Sequence, residues 1–280
     1  VAIQAPADGG IAPMSDPLLS VDKLEVVYQR AITAVQGITL SAQQAQIVGI
    51  LGTNGAGKTT LLRAISGFHG TDDARVTEGK ILFKGRQIEN REPHRIACLG
   101  IALVPEREKV FPNLTVAENL LVPSAPGLAA AERKRREVQI LQYFPRLREL
   151  HDRTAGLLSG GERQMLGIAA ALVSQPDLLL VDELSLGLAP VVVEDLIARL
   201  VQVRRDLGIT ILLVEQSAAV ALDVADYSYV LENGRVVLDG DKARLTNHPD
   251  IQEFYLGQSS GKRRSYRDVK QYRRSRRWYG

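Results

Sequence analysis

Eight consecutive residues constrain this chain more than any other feature: Gly52, Thr53, Asn54, Gly55, Ala56, Gly57, Lys58 and Thr59. Before them, residues 46–51 form an apolar run without alternation, the pattern of a strand buried on both faces of a parallel sheet. After them, Thr60 opens a helical pattern that runs to Ser66. A glycine-rich turn between strand and helix lets the backbone curl until its N–H groups converge, and the helix N-terminus adds partial positive charge. This pattern is a phosphate cradle: Lys58 reaches the β- and γ-phosphates of a nucleotide, and the Thr59 hydroxyl can ligate Mg²⁺. A glycine turn without chemistry is the competing reading, and the full motif in a strand-to-helix context disfavours it.

A second constellation lies at residues 178–183, Leu-Leu-Leu-Val-Asp-Glu, where two acids end a buried strand. Open α/β sheets bind ligands at the C-terminal ends of their strands. There Asp182 can hold Mg²⁺ through water, and Glu183 can polarise a water for in-line attack on a γ-phosphate. Acids at a strand end are often solvated turn residues, but the cradle upstream favours the chemical reading.

The rest of the chain fits an α/β frame. Residues 22–28, 37–41 and 79–83 mix β-branched and polar residues at strand length, which predicts an antiparallel layer. Residues 178–181 and 209–214 are buried-strand runs with a helical pattern over 190–205 between them, a βαβ rhythm. Residues 115–122, 129–143 and a short piece from Pro145 read as helices, so a helical insertion is expected over roughly 107–174. Strand patterns at 227–231 and 235–238 flank Asn233-Gly234, a strong hairpin signal.

Composition removes several classes. With 45% hydrophobic and 24% charged residues, the 280-residue chain is neither collagen-like nor disordered throughout, and it is long enough to bury a core. The single cysteine, Cys98, allows no internal disulfide and suits a reducing cytoplasm. No apolar run approaches the ~18 residues of a membrane span. Residues 1–15 carry Asp8 and no Lys or Arg, and they are read as a solvated tail rather than a secretory signal. The net charge of +3 hides an asymmetry: residues 261–280 hold nine bases against one acid, leaving a body of −5. An acidic body disfavours nucleic acid as a partner. In the tail, Tyr266, Tyr272, Trp278 and Tyr279 interleave with the bases, a pattern open to a solvated extension, to phosphate contacts and stacking on nucleic acid, or to docking on an acidic or anionic-lipid surface.

Residues 158–164, Leu-Ser-Gly-Gly-Glu-Arg-Gln, read physically as a helix start in which Ser159 caps and Gly160 and Gly161 permit close backbone approach. The segment resembles the signature motif of the ABC ATPases, and it lies between the two phosphate motifs in that family's order. The resemblance covers about residues 19–257, leaving tails at 1–18 and 258–280. It implies a P-loop NTPase of ABC type, with a parallel core sheet, an antiparallel β layer and the helical insertion. It implies ATP and Mg²⁺ as cofactors, held by Gly52, Asn54, Gly55, Ala56, Gly57, Lys58, Thr59 and Thr60, with Thr59, Glu106 and Asp182 toward the metal. It also implies paired domains, with ATP sandwiched between the P-loop of one and residues Ser159, Gly160, Gly161 and Glu162 of the other. Tyr28 matches the aromatic that stacks on adenine, against a plain strand tyrosine as the alternative. Residues 185–190 match the loop that crosses the dimer interface, with Ala189 where many relatives carry Asp and Leu184 in place of a common Pro.

Two departures bear on catalysis. Glu106 stands where most of the family carries Gln, so a carboxylate replaces an amide beside the metal, and it cannot donate a hydrogen bond when ionised. Gln216 stands where most carry His; its amide can donate to a γ-phosphate but cannot become cationic. With Glu183, these complete the expected catalytic set. Pro105-Glu106, residues 111–116, residues 185–190 and Val214-Glu215-Gln216 resemble one branch, the second ATPase subunit of branched-chain amino acid importers of the hydrophobic amino acid uptake group. That branch implies a second ATPase subunit, two membrane-spanning permease subunits, an extracytoplasmic solute-binding protein and a peripheral place at the cytoplasmic face of the membrane. Relatives also serve amides, urea and aromatic acids, and substrate contacts lie on other chains. A regulatory nucleotide-binding subunit with weak hydrolysis is the alternative that Glu106 and Gln216 motivate. An ABC ATPase acting on DNA or ribosomes would need long coiled coils or two ATPase halves, and a small P-loop kinase would not need the signature.

Overall fold

The computed structural model describes residues 16–68, 73–107, 109–123 and 129–254. Most of the expected N-terminal tail and all of the basic C-terminal one therefore lie outside the described residues.

Strands β1 (Leu19–Tyr28) and β2 (Ile32–Ala42) pair antiparallel and lead into β3 (Ile47–Gly52), every residue of which is buried. The P-loop follows, then α1 (Lys58–Ser66), β4 (Ala74–Phe83), the two-residue β5 (Arg86–Gln87), α2 (Pro93–Ala97) and β6 (Ile101–Val104). A helical stretch comes next: α3 (Val116–Leu121), α4 (Ala130–Tyr143), α5 (Pro145–Glu149) and, after one 3₁₀ turn, α6 (Gly160–Val173). Then β7 (Leu178–Asp182), α7 (Pro190–Leu207), β8 (Thr210–Glu215), α8 (Ala218–Val224), the hairpin β9 (Tyr227–Glu232) and β10 (Arg235–Gly240), α9 (Lys242–Thr246) and α10 (Pro249–Phe254) complete the described chain.

Two sheets organise these elements. One is antiparallel, ordered β2-β1-β4-β5; the other is ordered β10-β9-β3-β8-β7-β6, parallel except for the β9–β10 hairpin. The expected central strand is indeed interior, with β8 on one side and β9 on the other. Alternation explains the unbroken apolar runs. Leu178, Leu180, Leu212 and Val214 join α1 and the antiparallel sheet in one core, while Leu179, Val181, Ile211 and Leu213 join the helices α3 to α7 in another. Each fully buried aliphatic side chain contributes roughly 1.5–3 kcal/mol, so a polar residue at any of these positions is costly. The edge strand β6 and helices α2 and α8 escape the sequence pattern, because four to seven residues span too few periods to stand out.

Topology gathers the loops that matter. The P-loop leaves the end of β3, Asp182 and Glu183 leave the end of β7, and Gln216 leaves the end of β8, three adjacent strands running in one direction.

Candidate functional site

The cradle is built by backbone geometry. Gly57, the residue before α1, has φ +98°, and a Cβ there would stand 2.8 Å from the Ala34 carbonyl oxygen. Only glycine takes that left-handed conformation without strain. The Gly234 N–H donates to the Ala56 carbonyl at 3.0 Å, so the β9–β10 turn braces the loop. Asn54 and Gly55 are exposed at its tip, whereas Ala56 and Lys58 are buried. The Lys58 ammonium donates to the carbonyls of Gly52 at 2.8 Å and Thr53 at 3.1 Å, and it lies 3.5 Å from a carboxylate oxygen of Glu183. A buried cation needs such partners. Tyr28 packs edge-on against Phe68, ring centroids 6.2 Å apart, with its hydroxyl 3.4 Å from that of Thr60 in the first turn of α1.

The two acids have different surroundings. Burial pushes the Asp182 carboxyl up, and the Thr59 hydroxyl beside it pulls it down. The charges of Glu183 and Glu106 push it up further, against Lys58. One Asp182 oxygen, Oδ1, is buried without a hydrogen-bond partner. An orphaned carboxylate oxygen next to a hydroxyl suits a hard divalent cation, so the residues present fit Mg²⁺. Glu183 has left-handed backbone, φ +48°, and its N–H donates to the Val214 carbonyl at 3.0 Å. Its carboxylate receives the Gln216 amide on both oxygens, at 2.9 and 2.8 Å. The sequence points Gln216 toward phosphate; in the structure it grips Glu183. Glu106, two residues past β6, has a partly exposed carboxylate that accepts from Arg107 Nε at 3.0 Å.

Ser159, Gly160, Gly161 and Glu162 form a second cluster at the start of α6. Ser159 Oγ accepts from the Glu162 N–H at 3.3 Å, and Glu162 Oε2 accepts from the Ser159 N–H at 2.9 Å, a reciprocal capping box. The other Glu162 oxygen accepts from Arg146 Nε at 3.0 Å. A Cβ on Gly160 would lie 3.4 Å from Leu188 Cδ2, and one on Gly161 2.7 Å from Val192 Cγ1, which puts the cluster against the loop before α7 and the first turn of that helix.

Sequence reasoning missed Lys109, which donates to Gln164 Oε1 and so ties the loop after Glu106 to the helix that follows Ser159. Desolvation lowers the Lys109 ammonium's proton affinity, while the Glu106 charge opposes that shift. It missed Glu215 as well, which holds Ser185. Lys109 belongs to no local motif, and Glu215 stood in the sequence only as part of the branch pattern Val214-Glu215-Gln216, with no role of its own; each contact joins residues 30 or more positions apart.

A family model described as ABC transporter matches residues 35–185. The chain is 41% identical over 243 residues, 86% of its length and 100% of the other, to the high-affinity branched-chain amino acid transport ATP-binding protein BraG of Pseudomonas aeruginosa. It is 30% identical over 261 residues, 88% of its length and 100% of the other, to BraF of the same organism, another high-affinity branched-chain amino acid transport ATP-binding protein. Among solved structures it resembles the ADP conformation of MJ1267, an ATP-binding cassette of an ABC transporter, with a TM-score of 0.75, 28% identity, and coverage of 87% and 100% of the two chains.

Proposed function

Because the chain belongs to the ABC transporter family, as one of its ATP-binding subunits, we propose that it binds and hydrolyses ATP to drive import of branched-chain or related hydrophobic amino acids. The observation that carries this reading is the likeness to BraG over that protein's whole length and 86% of this chain, at a higher identity than to BraF. That difference supports the second of two unlike ATPase subunits as this chain's role. Its partners are then the other ATPase, two permease subunits and, indirectly, a solute-binding protein. No helix among the described residues is long and apolar enough to cross a membrane. We place the chain at the cytoplasmic face, attached through the permease, with the helices between residues 107 and 174 supplying the docking groove.

The geometry supports a division of labour. Lys58 exchanges the carbonyls of Gly52 and Thr53 for phosphate oxygens when ATP enters, and it leaves the Glu183 carboxylate as it does so. The P-loop N–H groups and the start of α1 compensate the remaining phosphate charge. Tyr28 offers its ring to the adenine. Thr59, Asp182 and Glu106 would hold Mg²⁺, which when bound neutralises charge on the β- and γ-phosphates. Glu183 takes a proton from the attacking water as its oxygen bonds to the γ-phosphorus and the bond to the ADP oxygen breaks. Gln216 holds the Glu183 carboxylate for that transfer. Ser159, Gly160, Gly161 and Glu162 close the ATP site of the paired subunit.

The test is reconstitution of the chain with its second ATPase, permease pair and binding protein in vesicles. Leucine, isoleucine or valine on the binding protein is expected to raise ATP hydrolysis and drive uptake. Stimulation by urea, amides or aromatic acids instead would reassign the substrate. Hydrolysis unaffected by Glu183→Gln in this chain would make it the regulatory subunit.

A further inference from the structure

We infer that Glu215 is a positioning residue for ATP hydrolysis: its carboxylate fills the backbone turn that follows Glu183 and, through that turn, aims the Glu183 side chain. The inference rests on the reading of Glu183 as the base.

Glu183 has φ +48°, a left-handed conformation that a side-chain-bearing residue keeps only where its surroundings impose it. One restraint comes from its own N–H, bound to the Val214 carbonyl at 3.0 Å. The others come from Glu215. Its Oε1 accepts the Ser185 N–H at 3.0 Å and its Oε2 accepts the Ser185 hydroxyl at 2.6 Å, while the Leu184 N–H lies near enough to favour the charged carboxylate. Successive N–H groups after a left-handed residue converge into a concave nest that takes an anion. Here the anion is a side chain of the same molecule.

The cost of that arrangement argues for a purpose. Glu215 is 1% exposed and sits near a second carboxylate, Glu183, whose charge opposes its own. A buried carboxylate beside another is unfavourable unless donors satisfy it, and those donors all come from the segment next to the base. Glu215 also ends a strand in the middle of the parallel sheet, paired opposite Leu51 of β3, so its backbone is firmly held. Its neighbour Gln216 holds the Glu183 carboxylate itself. Two consecutive residues therefore restrain the base from both ends, one at the backbone and one at the oxygens.

The test uses the assembled transporter and the variant Glu215→Gln, which keeps size but replaces one acceptor oxygen with an amide that cannot accept from the nest. The expected result is a fall in kcat of about tenfold or more, with KM for ATP changed by less than about twofold, because positioning of the base affects the transition state and not nucleotide binding. In a Glu183→Gln background, Glu215→Gln is expected to lower the residual rate no further, since the group it positions is gone. Ser185→Ala, which removes only the hydroxyl donor, should show a smaller loss of the same kind and carries the test if Glu215→Gln does not assemble. Wild-type kcat in Glu215→Gln, or an equal proportional loss in both backgrounds, would overturn the inference. If Glu183→Gln alone hydrolysed ATP at the wild-type rate, the base assignment would fall instead.

Discussion

The Gln216 amide nitrogen donates to both carboxylate oxygens of Glu183, at 2.9 and 2.8 Å, where the Lys58 ammonium also approaches to 3.5 Å. Gln216 is thus coupled to Glu183, the residue proposed as the base. Gln216→Leu removes the donor, and a hydrogen bond to a charged group contributes about 1.5–3 kcal/mol. The expected consequence is a kcat lowered roughly 10- to 100-fold in the assembled complex. Gln216→His restores a donor and should recover most of that loss in the same steady-state assay.

Lys58 and Glu183 are expected to separate binding from chemistry. On the proposed roles, Lys58→Ala would remove the cation that compensates the phosphates, whereas Glu183→Gln would keep the cradle and lose the proton acceptor. At a ligand concentration 100 times Kd, a bound nucleotide stabilises a protein by about 2.7 kcal/mol. Thermal melts with Mg²⁺ and ATP should show that stabilisation in the wild type and in Glu183→Gln, and none in Lys58→Ala.

Gly57 has no room for a side chain. A Cβ would meet the Ala34 carbonyl oxygen at 2.8 Å, and φ of +98° is strained for alanine. Gly57→Ala is expected to cost about 1–3 kcal/mol of stability and to weaken ATP binding. Urea unfolding of the isolated subunit, with midpoint and slope compared, would check the first part.

His151 links stability to pH. Its ring nitrogens lie 2.9 Å from Asp152 Oδ1 and 2.9 Å from Glu137 Oε1, and these bonds hold its pKa above the ordinary imidazole value despite burial. Lys134 shares the Glu137 carboxylate. A raised folded pKa means that the contribution is fully present below the unfolded value of about 6.5 and is lost as pH rises through the folded one. The melting-temperature difference between wild type and His151→Gln should therefore be largest near about pH 5.5 and shrink by about pH 8.5. A difference constant across that range would contradict the imidazolium assignment.

Much of this molecule could be read from short stretches of chain, because the physics there is local. The cradle depends on neighbouring N–H groups and on a helix that begins at Lys58, the Ser159 cap on a residue three positions away, and the β9–β10 turn on Asn233 and Gly234, both with positive φ. Interactions of that range are written in residue order. The strand order, the edge strand β6, the grip of Gln216 on Glu183 and that of Glu215 on Ser185 were decided only by the tertiary structure. These join positions 30 or more apart, as in the bonds from 185 to 215 and from 183 to 216. Their geometry exists only after β7 and β8 lie side by side, and no periodicity or local motif encodes which polar tips a pair of strand ends will bring together.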